Sequence, residues 1–419
     1  MATQKEHLTK KFIGKLENPE KNPVYVWDTE LKGFGIKLNP TSMIFIVQAR
    51  VNGKTRRYSI GEYGTWTVDQ ARKKAQNVLV NMANGIDPNQ EKRAEIIKSK
   101  TLEEVQKDYL KDRDLKPSSI RDYNKHLNGI FKKWKDQPIA NINRDEVMRL
   151  FRKASESSKA QANQAFRLLR ALFNYAIEAY RPGGKPTITE NPVNVLSGAK
   201  MWHNVKEKSR RIPNDLVGKA WNHLERLRKD FIVSHSARSM ADAVAFCFLT
   251  GARWGEVQTL TWDNVNLKNE TWHIDDPKNR NSITLPLSSQ AKKILEERQR
   301  IEDNDYVFSS SKSETGYIGP GRYITDKIAD KIGILISPHD LRRTFRAIAG
   351  ECGIELWKTK LLMNHKLNQD VTISAYTETS DLRYLKDDIQ KIGDWIERQG
   401  KIAASEKVVD LDQARKKAI

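Results

Sequence analysis

Two stretches of this chain resist burial, and they set what it can fold into. Residues 86–100 are polar and contain Pro88. Residues 181–211 run from RPGGKPTITENP into a basic segment ending KEKSRR. Neither offers a continuous apolar face, so 419 residues are not expected to share one core. The pattern predicts a multidomain α+β protein: a small sheet-plus-helix region over 1–85, a linker over 86–100, an all-helical region over 101–200, a mainly helical region with a small β-hairpin over 206–395, and a tail over 396–419. Ten Trp, 12 Tyr and 12 Phe supply enough bulk for real cores, which excludes a disordered basic tail protein.

Within 1–85, short β-type runs are predicted at 24–28, 33–37, 44–51 and 55–60. Asn52-Gly53 joins the last two and marks a hairpin turn, where both central residues need positive φ. Thr67 and Gln70 form a capping box for a helix that Gly85 closes. Thr101 and Glu104 form another, ahead of helices over 101–113, 118–133, 144–156 and 160–179. Apolar residues Leu385, Ile389, Ile392, Trp395 and Ile396 predict a final amphipathic helix, with residues 400–419 polar and loose beyond it.

Charge narrows the partner. The net charge is +20, spread as +7 over 1–98, +8 over 99–205 and +5 over 206–419. A balance so extended fits a long nucleic acid better than a membrane surface, which a single polybasic run beside an amphipathic anchor would suit. The most apolar stretch, Ala243–Leu249, is far short of a membrane span, and MATQKEHLTKKF has no apolar core for a secretory signal. Cys247 and Cys352 are too few for a disulfide framework or a Cys-rich zinc site, so a reducing, cytoplasmic setting is expected. No P-loop, no H-E-x-x-H and no Cys/His ligand spacing occurs, so neither cofactor nor metal is expected.

Four segments carry candidate chemistry. In TGARWGEV, Gly251 should end an apolar helix and Arg253 open the next, where its planar fork suits a phosphate; pairing with Glu256 at i+3 fits equally well. In SPHDLRRTF, Ser337 and Pro338 start a helix, placing His339 and Arg342 together on its first turn. A third segment runs LLMNH to His365, then VTISAY to Tyr376, a residue type that becomes a nucleophile only beside cations and a base. The fourth is the turn DDPKNRNS between strands Trp272–Ile274 and Ile283–Leu287, where Lys278 could protonate a leaving oxygen or simply be solvated.

Taken in order, Arg253, Lys278, His339-x-x-Arg342, His365 and Tyr376 resemble the tyrosine recombinases, or phage-type integrases. RRYSIGEYGTWTVDQARKKA and NGIDP resemble the arm-DNA-binding domain of prophage and genomic-island integrases. The chain departs from that pattern at Gly255, at Asn364 where Gly is usual, and in a longer gap before Tyr376, which leaves Tyr384 as a rival nucleophile. The resemblance implies site-specific integration and excision. Arg253 and Arg342 would clamp the scissile phosphate and Tyr376 would attack it. Lys278 would protonate the leaving 5′-oxygen, His339 would manage the tyrosine proton and His365 would hydrogen-bond the phosphate. Energy would be kept in a 3′-phosphotyrosyl link, with no cofactor, and strands would exchange through a Holliday junction.

The same resemblance implies double-stranded DNA partners at core and arm sites, a clamp by 101–200 and 212–395 around core DNA, and a homotetramer on DNA in the bacterial cytoplasm, associated with the nucleoid. It also implies accessory DNA-bending or excision-directionality proteins. The final helix would dock either on its own protomer or on a neighbour. Two rival readings remain at this stage: a type IB topoisomerase-like relaxase, and a DNA-binding protein with a dead site.

Overall fold

The computed structural model describes residues 3–230, 234–275, 282–365 and 380–417, and the side chains of residues 4–405 within those spans. They fall into two compact units, Met1–Lys206 and Glu207–Ile419.

The first unit holds two separate cores. One lies between a five-stranded sheet and a helix. The strands are β1 (Thr3–Glu6), β2 (Val24–Asp28), β3 (Phe34–Leu38), β4 (Met43–Val51) and β5 (Lys54–Glu62), in that spatial order. β1 runs parallel to β2, and the rest are antiparallel, with a register shift between Phe45 and Ile46. The β4–β5 turn is left-handed at both central residues, Asn52 (φ 50) and Gly53 (φ 76). Helix α1 (Val68–Ala83) starts at the Thr67–Gln70 capping box and lays Ala71, Ala75, Val78 and Met82 into a core with Phe34, Ile36, Phe45 and Val47.

The polar stretch expected as a linker over 86–100 is instead helix α2 (Pro88–Lys98). Asp87 caps it by accepting from Asn89 N, and Pro88 occupies the first helical turn, where a missing N–H costs nothing. The same proline that reads as a break is therefore a start. Beyond it come α3 (Leu102–Lys111), α4 (Pro117–Asn128), α5 (Arg144–Ser157) and α6 (Lys159–Ala179). Phe131, Phe151, Phe166, Leu169 and Phe173 fill their shared core. α4 stops at Asn128, short of the expected 133, because the chain leaves helical geometry at Gly129 (φ −103, ψ −94).

The second unit has one core. Its helices are α7 (Asn214–Asp230), α8 (His235–Thr250) and the short α9 (Trp254–Gln258). A small sheet follows, β6 (Val265–Asn266), β7 (Thr271–Ile274) and β8 (Ile283–Pro286), then α10 (Ser289–Glu296), α11 (Arg322–Ile332), α12 (Pro338–Glu351), α13 (Leu356–Leu362) and α14 (Lys386–Lys417). α8 is the central element, buried continuously from Ala241 to Thr250, as a helix that is apolar on every side must be. Buried Asp242 locks it in place, accepting from Arg228 of α7, from Arg238 and from Arg298.

α14 packs in cis: Ile389, Ile392 and Ile396 lie in this unit's core, Asn222 Nδ2 donates to Gly400 O, and Gln290 donates to Asp394. The tail expected to be loose from 400 onward continues the helix to Lys417, since no glycine or proline interrupts residues 401–417.

Candidate active site and nucleic-acid interface

Gly251 ends α8 in the left-handed conformation (φ 63) and sits against the Phe345 ring, which a Cβ there would approach to 2.5 Å. That close contact brings the α8–α9 corner onto α12. Arg253 follows as the cap residue of α9, with extended backbone. Its Nη1 donates to Glu256 Oε1 at 2.6 Å, its backbone N to Glu256 Oε2 at 2.9 Å, and its Nη2 to Asn364 O at 3.2 Å. The carboxylate pairing and the placement in the cluster, alternatives at the level of sequence, coexist.

α12 begins where expected, with Ser337 as N-cap, Pro338 in the first turn and Asp340 closing the capping box. Leu341, Phe345 and Ile348 are fully buried. Arg342 is also buried, and its Nη1 donates to Gly251 O at 2.7 Å and its Nη2 to Met363 O. Burial and the neighbouring Arg253 push this guanidinium down to about 10, so it still carries its charge at neutral pH. His339 sits exposed in the first turn; desolvation, with Arg343 and Arg342, holds its imidazole below the usual range.

His365 follows α13, with its backbone N bonded to Lys360 O. Desolvation, then the charges of Arg342 and Arg253, push it down to about 4, so it is neutral at physiological pH. Asn364, just before it, has φ 47. The position where glycine is usual is left-handed, and asparagine is one of the few other residues that occupies that region readily. Gly255, the other departure, has no atom of the described residues within 4 Å of where its Cβ would stand, so their packing does not require a small residue there.

Arg253, His339, Arg342 and His365 are thus brought together. Lys278 and Tyr376 lie outside the described residues. Their frame is described: His273 pairs with Thr284 and Ile274 with Ile283 across β7 and β8, which flank the lysine turn. Past the tyrosine segment, Thr284 N donates to Ser380 O at 2.8 Å and Leu382 N to Thr284 O at 2.9 Å, so residues 380–382 add to the free edge of β8. Tyr384 lies beyond that anchor in a short 3₁₀ turn, Arg383–Leu385, and is about half exposed.

A second constellation escaped the sequence reading. On the sheet face opposite α1, Arg57 Nε and Nη2 both donate to Gln48 Oε1 (3.0 and 2.7 Å), and its guanidinium lies 4.2 Å from the Tyr25 ring centroid. Tyr25 stacks in turn on Trp27, which lies over Gly35, where a Cβ would meet its ring at 2.8 Å. Lys37 stands opposite Tyr25. Cation, aromatic and amide groups are paired on a partly exposed face, which suits the grooves of a polyanion. The signal is spread over four strands, so no single local run of residues marks it.

Among the described residues no group of three His, Cys, Asp or Glu could hold a metal ion, and no helix is long and apolar enough to cross a membrane.

Two guanidinium and two imidazole groups thus gather at the α8–α9 corner, the first turn of α12 and the turn after α13, an arrangement chemically suited to an anion such as a phosphate. Three family profiles match in succession: "Arm DNA-binding domain" over residues 8–95, "Phage integrase, N-terminal SAM-like domain" over 102–179 and "Phage integrase family" over 220–383. The chain is 24% identical to the prophage integrase IntF of Escherichia coli K12, covering 87% of this chain and 85% of that one. It is 23% identical to the prophage integrase IntZ of the same organism, covering 83% and 86%. In fold it is similar to the Tn1549 transposon integrase solved with a circular intermediate DNA (TM-score 0.50, 15% identity, 66% of this chain and 95% of that one). The chain belongs to the phage integrase family of tyrosine recombinases, and its activity is that of a site-specific DNA integrase.

Proposed function

We propose that this integrase inserts and excises a mobile element, a prophage or genomic island, using Arg253, Lys278, His339, Arg342, His365 and Tyr376 in every strand cleavage. The observation that carries the assignment is that Arg253 and Arg342, on different helices, converge on the backbone immediately before His365. A phosphate placed there meets two cationic forks at once. Both forks keep donors to spare for the two non-bridging oxygens, because each guanidinium has five N–H groups.

Tyr376 Oη attacks phosphorus in line as His339, neutral and able to accept, takes its proton. The P–O5′ bond breaks, Lys278 gives the leaving oxygen a proton, and a 3′-phosphotyrosyl link remains. Arg253 and Arg342 stabilise the charge that grows on the equatorial oxygens, an effect exerted in the transition state. Neutral His365 donates one hydrogen bond to the same phosphate. Attack by a 5′-hydroxyl of the partner duplex reverses the step. Two duplexes present four strands and each protomer brings one nucleophile, so a homotetramer on paired core sites, working through a Holliday junction, is the assembly that completes exchange. The Tyr25–Arg57–Gln48 face serves the arm sites, and accessory DNA-bending or directionality proteins bring arm and core together in the bacterial cytoplasm.

The test is a plasmid carrying two attachment sites taken from the DNA flanking the gene. Deletion or inversion between the sites, lost in Tyr376→Phe, is expected; relaxation without recombinants would contradict the integrase assignment.

A further inference from the structure

The chain enters the catalytic unit at Glu207 and within a few residues is tied to the helix that carries His339 and Arg342. Ile212, fully buried, donates its backbone N–H to Thr344 Oγ1 at 2.9 Å, and that hydroxyl donates to Asp340 O at 2.9 Å. Arg210 Nη2 reaches Asp340 Oδ2 at 3.3 Å. Asp340 has no exposed surface, and its carboxylate is shared four ways. Oδ2 also accepts from Ser337 N (2.9 Å) and Ser337 Oγ (2.7 Å), and Oδ1 accepts from Arg343 Nη1 (2.6 Å). A carboxylate so far from water needs its cationic partners, and one of the two comes from the segment that joins the units. Arg210 also keeps a buried Nε with no acceptor among the described residues, a cost that a contact kept for stability alone would not carry.

We propose that Arg210 and Asp340 are positioning residues for strand cleavage. Asp340 stands between His339 and Arg342 in sequence, and through it the basic segment KEKSRR fixes the first turn of α12 in its working place. That segment has the charge to follow a DNA backbone, so its engagement on DNA is read out at the helix that holds the phosphate. The inference rests on the recombinase reading of the site.

The experiment uses the full chain and a nicked suicide duplex carrying the core site, with binding and single-turnover cleavage measured separately. Arg210→Ala is expected to melt a few degrees lower but to stay folded at the assay temperature and to bind within about twofold of the unaltered chain, while cleaving bound DNA roughly 10–100-fold more slowly, as a misplaced catalytic group does. Arg210→Lys should recover most of the rate, and Arg210→Ala with Asp340→Asn should be no slower than Asp340→Asn alone, as two members of one contact behave. Unchanged cleavage of bound DNA in Arg210→Ala overturns the proposal. So does a loss confined to affinity, which would make Arg210 a plain DNA contact. Independent, multiplying effects in the double variant also overturn it. If the unaltered chain forms no covalent adduct on a site it binds, the recombinase reading fails and this proposal with it; an adduct that forms equally fast in Arg210→Ala defeats this proposal alone.

Discussion

Arg253 and Arg342 donate to consecutive backbone carbonyls, Asn364 O at 3.2 Å and Met363 O. The two arginines and the turn that presents His365 therefore form one piece. Arg342 also holds Gly251 O at 2.7 Å, two residues before Arg253. Replacing it leaves two carbonyls without their partner and, on the proposed assignment, removes a phosphate donor. Arg342→Lys is expected to fail as a substitute, because a lysine presents a point charge rather than a planar fork. Single-turnover cleavage of suicide DNA should fall by roughly 10²–10³-fold in Arg342→Lys, with binding affinity much less affected.

Gly251 is needed for two independent reasons, its left-handed φ of 63 and its approach to Phe345. Gly251→Ala pays about 1–2 kcal/mol for the backbone and a similar amount for overpacking against the ring. A lowered melting temperature is expected together with slower cleavage, since the corner that aims Arg253 and binds Arg342 must shift. Phe345→Leu in the same background should restore part of the melting temperature by making room for the new methyl group.

Desolvation, with Arg342 and Arg253, pushes the His365 imidazole down from the usual 6.5 to about 4. Between those values the unfolded chain binds the proton that the folded chain refuses, so stability falls as pH drops from about 6.5 toward 4. Thermal melts over that range should show a smaller fall in His365→Asn. A bound phosphate diester favours the protonated imidazole, so the His365 resonance, followed by NMR, should titrate at higher pH in the DNA complex than in the free chain.

The Arg57–Gln48–Tyr25 face is the proposed arm-site contact, so its loss should be felt on arm sites and not on core sites. Arg57→Ala or Gln48→Ala is expected to weaken arm-site binding by about 1–3 kcal/mol and to relax its sequence preference, leaving core-site binding in place. The net charge is +15 over residues 1–205 and +5 over 206–419, so affinity should drop steeply with salt while cleavage in a preformed complex responds little. Gel-shift titrations on separate arm and core duplexes at two salt concentrations read the affinities, and single-turnover cleavage in preformed complexes at the same concentrations reads the rate.

Local signals in the sequence were legible wherever the physics is local. The Asn52-Gly53 turn, the capping boxes at Thr67 and Thr101, the Gly251 stop and the Ser337-Pro338 start each depend on a handful of neighbouring residues, and each forms. The spacing also led to Arg253, His339, Arg342 and His365, which meet in the folded unit. What escaped depends on partners distant in sequence. β1 is a polar edge strand, paired in parallel with β2. Arg57 finds Tyr25 across the sheet, and Arg210 finds Asp340 at a separation of 130 residues. α2 was hidden by a proline whose meaning depends on which side of it the helix lies.

Tyr376 is the proposed nucleophile, and it is tested by covalent capture of the full chain on nicked suicide DNA carrying its core site, followed by mass spectrometry of the nucleotide-bearing peptide. The expected result is a 3′-phosphotyrosyl adduct on Tyr376 that forms in Tyr384→Phe and is absent from Tyr376→Phe. An adduct that persists in Tyr376→Phe and vanishes in Tyr384→Phe would contradict the account.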